Sequence, residues 1–268
     1  ASGTTLTYLG DITGSTHALT INGNSQTGTV VLGGNSTYGN TILSGGTARI
    51  ASNTALGSTG AISFAGGTLQ YTSTYTADHS ARFSNAANQA YAIDTNGETV
   101  TLASALTSSG GTFVKTGTGT LVFAADQTYT GSTTISNGTL GLGNGGTVGS
   151  VSGHIVNNAV LQFNRSDDQS YAGNITGTGA VSKLGSNTLT VTGTQAYTGA
   201  TTISNGALLI RNNAPNIATT GYSGSGSLTI ESVGTSFSGA LTISGVSFGS
   251  NLTGVTIGKS SNAANLTV

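Results

Sequence analysis

Residues 111–143 and 179–211 write one pattern twice at a fixed offset. The first copy reads GTFVKTGTGTLVFAADQTYTGSTTISNGTLGLG and the second GAVSKLGSNTLTVTGTQAYTGATTISNGALLIR. Lys115 aligns with Lys183, Leu121 with Leu189 and Tyr129 with Tyr197. Ile135-Ser136-Asn137-Gly138 aligns with Ile203-Ser204-Asn205-Gly206 without a gap. A looser third copy, TVVLGGNSTYGNTILSGGTARI, surrounds Tyr38 with one residue fewer after the tyrosine. Self-similarity of this kind, written in short apolar/polar alternations, predicts a stacked solenoid.

The spacing sets an expected coil length. If the copies sit at equal rotational phase, the interval from Tyr38 to Tyr129 holds four coils and that from Tyr129 to Tyr197 holds three. Division gives about 22.75 and about 22.7 residues per coil. A coil of roughly 22–23 residues suits three short strands joined by turns, and the chain then makes about 12 coils. At ~4.8 Å between strands, the rod is about 55 to 60 Å long. On this reading Tyr129 and Tyr197 stand in vertical register, three layers apart.

Composition agrees with strands and excludes several functions. Only 15 of 268 residues are charged, with a net charge of −1. Gly, Ser, Thr and Asn disfavour helix interiors, whereas Thr, Val, Ile and aromatic residues suit a half-buried pleated surface. Apolar residues form 35% of the chain and recur in two-residue alternation, which argues against disorder. Seven Lys and Arg, scattered singly, give no electrostatic footprint for nucleic acid. No run of 18 apolar residues exists to span a membrane. Cysteine is absent, so there are no disulfides. From the lack of an initiator methionine, a processed product or an excised piece is expected.

Strand signals recur every seven to twelve residues, among them Ile62-Ser63-Phe64, Leu121-Val122-Phe123 and Leu189-Thr190-Val191. Gly-Gly, Asn-Gly and Gly-Thr-Gly punctuate them, as turns requiring positive φ would. Asn137 and Asn205, each before glycine, are expected at left-handed turn positions. Pro215 is the single proline, in keeping with continuous ladders. Residues 1–268 therefore read as one continuous solenoid with irregular stretches at 72–92 and 211–226. Strands follow at Ser227–Ile230, Ala240–Ile243, Val255–Ile257 and Leu266–Val268. A pattern that ends inside a strand leaves an open pairing edge. The expectation is a slice of a longer chain, or ends that stack on other copies.

The repeated units resemble the strand-repeat modules of bacterial autotransporter passenger domains and related giant surface proteins. The residues that carry the resemblance are Lys-x-Gly-x-x-Thr-Leu at 115–121 and 183–189, Tyr-Thr-Gly at 129–131 and 197–199, and the two Ile-Ser-Asn-Gly tetrads. Segments 51–71 and 163–185 look like the family's connecting stretches. The resemblance implies an all-β, right-handed parallel β-helix outside a bacterial cell. No part of the 268 residues corresponds to the family's membrane-inserted translocator barrel.

Candidate chemistry is sparse. Arg165-Ser166-Asp167-Asp168 is the dense charge cluster. It reads either as a carboxylate pair beside a guanidinium, able to hold a cation or a uronic-acid sugar, or as a turn stabilised by Asp side chains. The turn is favoured. Asp78-His79 would be an acid/base pair in a loop, but on a strand the two point to opposite faces. His17 and His154 are isolated. No histidine pair or acidic nonapeptide supports zinc or calcium, so neither metal nor cofactor is expected. Asn35, Asn174, Asn251 and Asn265 begin Asn-x-Ser/Thr triplets, which this composition produces by chance.

Tyr38, Tyr129 and Tyr197 are the candidate ligand-facing residues, as an aromatic strip along the rod. The competing reading makes each a corner residue, apolar body inward and hydroxyl outward. It is preferred. The expected function is a non-catalytic structural or adhesive segment of a cell-surface or secreted bacterial protein, serving as a rigid stalk or filament-forming solenoid. The alternatives are a carbohydrate-binding module that uses the tyrosines, and a polysaccharide-degrading enzyme acting through Asp167 and Asp168. Expected partners are further copies, end to end or laterally, and surface glycans or other cells.

Overall fold

A computed structural model describes residues 3–22, 27–212, 221–233 and 247–258. The chain winds as a β-solenoid of about ten turns, all of its paired ladders parallel. The first face is one sheet of ten strands. It runs from Thr5–Tyr8 through Thr29–Leu32, Thr47–Ile50, Thr68–Gln70 and Ala90–Asp94 to Thr112–Thr116. Thr133–Ile135, Ile155–Asn157, Ile175–Gly177 and Gln195–Tyr197 complete it.

The second face is a seven-stranded sheet that starts at Thr99–Leu102 and includes Thr120–Phe123, Thr139–Leu142, Val160–Phe163, Ala180–Lys183 and Thr201–Ile203. It ends at Tyr222–Gly224. The third face is divided. Leu19–Ile21, Thr41–Leu43 and Ile62–Phe64 form one sheet, Asp126–Gln127 and Ser150–Val151 a second. Gln169–Tyr171, Thr188–Val191, Ala207–Arg211, Ser227–Glu231 and Gly254–Ile257 form the last. Between the first two, Phe83 bridges to Ile62 and the Leu106 carbonyl accepts from Thr128 N, so the third face continues as single contacts.

Alternation decides what is inside. In Thr120–Phe123 and Val160–Phe163 every second residue is buried and the other half-exposed, because successive side chains leave opposite sides of a strand. Stacked strands turn this into columns. On the first face Leu6, Val30, Ala48 and Leu69 lead to Ile93, Lys115, Ile135 and Asn157, and the column ends at Tyr197. Aromatic rings thicken the core mid-rod: Phe64 meets Phe83 edge-on at 5.0 Å, and Phe113 meets Phe123 at 4.8 Å. Each buried Leu, Ile, Val or Phe contributes about 1.5–3 kcal/mol.

That column corrects the coil length. It passes from Leu6 to Tyr197 in nine steps. A coil therefore takes about 21 residues rather than roughly 22–23. The repeated copies are not in phase. Lys115 lies on the first face and Lys183 on the second; Leu121 lies on the second and Leu189 on the third. Every element of the second copy has advanced by one face, so the offset between the copies makes three coils and a third. The Tyr38 and Tyr129 copies differ in the same way, Thr41 being on the third face and Thr133 on the first. The assumption of equal phase is what lengthens the expected coil.

The turns hold a second correction. Asn137 and Asn205 do not take positive φ; the glycines after them do, at +70° for Gly138 and +65° for Gly206. A Cβ on Gly138 would come within 2.4 Å of the Gly119 carbonyl, so this corner requires glycine. Asn137 and Asn205 instead accept, through Oδ1, the N–H of the following glycine.

Residues 72–92 hold a 3-10 turn at Ser80–Arg82 before strand Ala90–Asp94 begins. Strands Ser227–Glu231 and Gly254–Ile257 are present. The strands expected at Ala240–Ile243 and Leu266–Val268, Pro215 and much of the loop at 211–226 lie outside the described residues. No helix among the described residues is long and apolar enough to cross a membrane.

Candidate functional site

The three tyrosines face inward. Tyr38, Tyr129 and Tyr197 are all buried, so they form no strip for a ligand, and their hydroxyls do not reach the surface. The Tyr129 hydroxyl bonds to Thr133 Oγ1, and the Tyr197 hydroxyl to Thr201 Oγ1 at 2.7 Å. Tyr38 donates to the Ala55 carbonyl at 2.9 Å and accepts from Thr41 Oγ1 at 3.3 Å. Burial raises all three phenols, Tyr197 to about 12, so they stay neutral. Each pair closes a corner between two faces, and the one-residue deletion after Tyr38 is absorbed by pairing at i+3 instead of i+4. The corner role is right; the outward hydroxyl is not.

The repeated lysines are also internal. Lys115 is 0% exposed, and its Nζ donates to the carbonyls of Thr116, Gly117 and Asn137 at 2.6, 2.8 and 3.2 Å. Burial pulls its ammonium down to about 8. Lys183 donates to Gly185 O in the equivalent corner. Sequence reasoning gives these lysines no role. The signal is there: in Phe113-Val114-Lys115 the lysine takes the inward phase of the alternation. Arg82 is missed too. Its guanidinium donates to the carbonyls of Leu56, Gly57 and Gly60 at 2.6–2.8 Å and pins a corner of the preceding coil.

Asp78 and His79 do not act together. Asp78 accepts from Ser80 N at 2.7 Å and from Ala103 N at 2.9 Å, tying two coils. His79 turns inward, its ring stacked 6.3 Å from that of Tyr71, with Nε2 buried and unbonded. Desolvation lowers its pKa, Arg82 adds to the shift and Asp78 opposes it. His17 and His154 lie apart, on coils far from one another, and His154 Nδ1 accepts from Asn174 N at 3.0 Å. No cluster of three or more metal-ligating side chains exists among the described residues.

The polar surface site is built around Arg165, in the five residues between strands Val160–Phe163 and Gln169–Tyr171. Its Nε and Nη2 grip both oxygens of Asp167 at 2.9 and 2.7 Å, and Nη1 reaches Asp126 Oδ1 at 3.2 Å. Asp126 Oδ1 also accepts from Gly149 N at 3.0 Å and Ser150 Oγ at 2.8 Å. The hydrogen bonds from Arg165 hold the Asp167 carboxyl below its ordinary range and raise the guanidinium. Asp168 points elsewhere and accepts from Thr188 N at 2.7 Å on the next coil. The two adjacent carboxylates therefore serve two different partners, as turn residues do. Arg165 and Asp168 also line a cavity of about 480 Å³ on the third face, with Ser150, Ser152, Ser170 and Tyr171.

Comparison with known proteins agrees with the repeats. Residues 113–142 and 181–210 match the family described as passenger-associated-transport-repeat. A 55-residue stretch is 54% identical to the adhesin BmaC autotransporter of Brucella suis biovar 1 (strain 1330). It covers 20% of this chain and 2% of that relative's length. No solved structure matches. Two stretches of the chain thus match passenger-associated-transport repeats, and each matched stretch starts at an inward residue, Phe113 on the first face and Val181 on the second.

Proposed function

We propose that this chain is a non-catalytic structural and adhesive segment of a bacterial cell-surface or secreted protein, acting as a rigid stalk. One observation carries the reading: ten strands join in a single parallel ladder along one face, with passenger repeats wound into it. Each coil bonds to the coils above and below, so stiffness and stability build up coil by coil. The relative's description as an adhesin favours attachment as the rod's task. The acidic cluster supports the non-catalytic reading, because Asp167 is held by Arg165 and Asp168 by a backbone N–H. Beads coated with the chain should attach to cells or glycan-coated surfaces, and acidic polysaccharides incubated with it should release no new ends. Attachment no better than that of an inert protein, or release abolished in Asp168→Asn, would overturn the reading.

Self-association belongs to the same proposal. Leu6 and Tyr8 head two core columns, above Val30 and Leu32, yet remain 65% and 45% exposed. Strand Thr5–Tyr8 pairs on one side only among the described residues. A second copy that stacks a strand there would cover both. Sedimentation should show a mass that rises with concentration and falls in Leu6→Lys. A concentration-independent monomer counts against stacking and leaves the stalk untouched.

A further inference from the structure

The third face breaks in mid-rod. Asp126–Gln127 pairs with Ser150–Val151, and Gln169–Tyr171 pairs with Thr188–Val191, but no ladder joins the two pairs. Loop lengths account for the break. Seven residues separate Thr139–Leu142 from Ser150–Val151, where the preceding coil uses two, and five separate Val160–Phe163 from Gln169–Tyr171. A side chain bridges the gap instead: the Tyr171 hydroxyl donates to the Gly153 carbonyl at 2.6 Å. Above it the cavity of about 480 Å³ opens to the surface, within the ~300–1,000 Å³ of small-molecule sites.

The groups on its walls decide what it takes. Arg165 is the cation, and it is committed to Asp167 and Asp126. Asp126 and Asp168 each use Oδ1 on protein donors, while their second oxygens receive no hydrogen bond from the described residues. An anionic ligand would meet two carboxylates and no available cation, so uronic-acid recognition is disfavoured. An extended peptide would need a strand edge to pair with. Ser150–Val151 offers two residues and Gln169–Tyr171 three, too little for added-strand binding. What remains complementary is a ligand rich in hydroxyls: it donates to the carboxylates and exchanges hydrogen bonds with Ser150, Ser152 and Ser170.

The geometry points to a binding site for a neutral saccharide in this groove. Val151 and Tyr171 form the floor, Asp126 and Asp168 accept sugar hydroxyls, and the serine hydroxyls complete the wall. The site deepens the adhesive reading and rests on it for its setting. It differs from the tyrosine strip, since those rings are buried.

The test is a panel of neutral, uronic-acid and sialylated oligosaccharides offered to the full chain, with calorimetry on whatever binds. Asp168→Asn keeps an acceptor for Thr188 N, and Ser170→Trp fills the groove from an exposed position. Neutral oligosaccharides should bind, and both variants should bind at least tenfold more weakly with melting temperatures unchanged. Silence towards neutral sugars, stronger binding of acidic ones, or binding undiminished in Ser170→Trp would overturn the site. Coated beads that still attach to cells while the panel is silent would overturn the groove and leave the adhesive reading standing.

Discussion

Tyr197 shares an inward column with Ile135, three coils away on the first face, and stands one face apart from Tyr129, its counterpart in the repeat. The repeated unit therefore does not belong to a face. The same Lys, Tyr-Thr and Asn-Gly elements close corners wherever they fall, which requires three faces of equivalent geometry. Anything the repeats show on their outer surface is displayed around the rod in thirds of a turn, not along a strip.

The tyrosine–threonine pairs are the clearest energetic test. Tyr129→Phe leaves Thr133 Oγ1 buried without its partner, and should cost about 1–3 kcal/mol. Tyr129→Phe with Thr133→Val removes both groups and should cost less than the two single changes summed. Urea unfolding of the four proteins gives the coupling energy. Strict additivity would show that the hydroxyls do not interact.

Lys115 predicts a dependence of stability on alkaline pH. Its pKa falls from 10.5 to about 8 on folding, so between those values the unfolded chain binds more protons. Stability then rises as pH rises through that window. The buried tyrosines act in reverse above about pH 10, where the unfolded chain loses phenol protons first. Denaturant midpoints between about pH 7.5 and 9.5 should therefore increase, and the slope should flatten in Lys115→Met. The slope is the readout, because Lys115→Met also strips three carbonyls of their donor.

His79 acts at the other end of the scale. Its folded pKa lies below 6.5 because desolvation disfavours the charged ring. Between the folded value and 6.5 the unfolded chain binds more protons, so stability falls as pH falls through that interval. Melting temperatures from about pH 7 to 4 should drop for the natural chain and drop less for His79→Phe, which keeps the ring contact with Tyr71.

Much of this is legible in the residues. Leu121-Val122-Phe123 and Ile62-Ser63-Phe64 announce strands because period-two alternation survives any arrangement of coils. Rotational phase is not legible. The displacement between the two copies fits three long coils or three and a third shorter ones equally well, and only a register such as Val181 against Thr201 separates them. The tyrosines are hard to place because an aromatic in a corner reads the same whether its hydroxyl turns to water or to a threonine four residues on. The groove depends on the relative length of two loops, 143–149 and 164–168, and on the ladder lost between them. Arg82 reaches carbonyls 22 to 26 residues earlier, a contact that no local pattern encodes.

The offset itself is open to direct measurement, because the chain has no cysteine of its own. Thr176 and Ala196 are register partners on the first face, and Ser182 and Thr202 on the second. Adjacent-coil partners lie about 4.8 Å apart, within disulfide reach. Paired cysteines at 176 and 196 should oxidise to a disulfide, whereas cysteines at 180 and 202, neighbours if the repeats were in phase, should remain free. A bond between 180 and 202 with none between 176 and 196 would contradict the account.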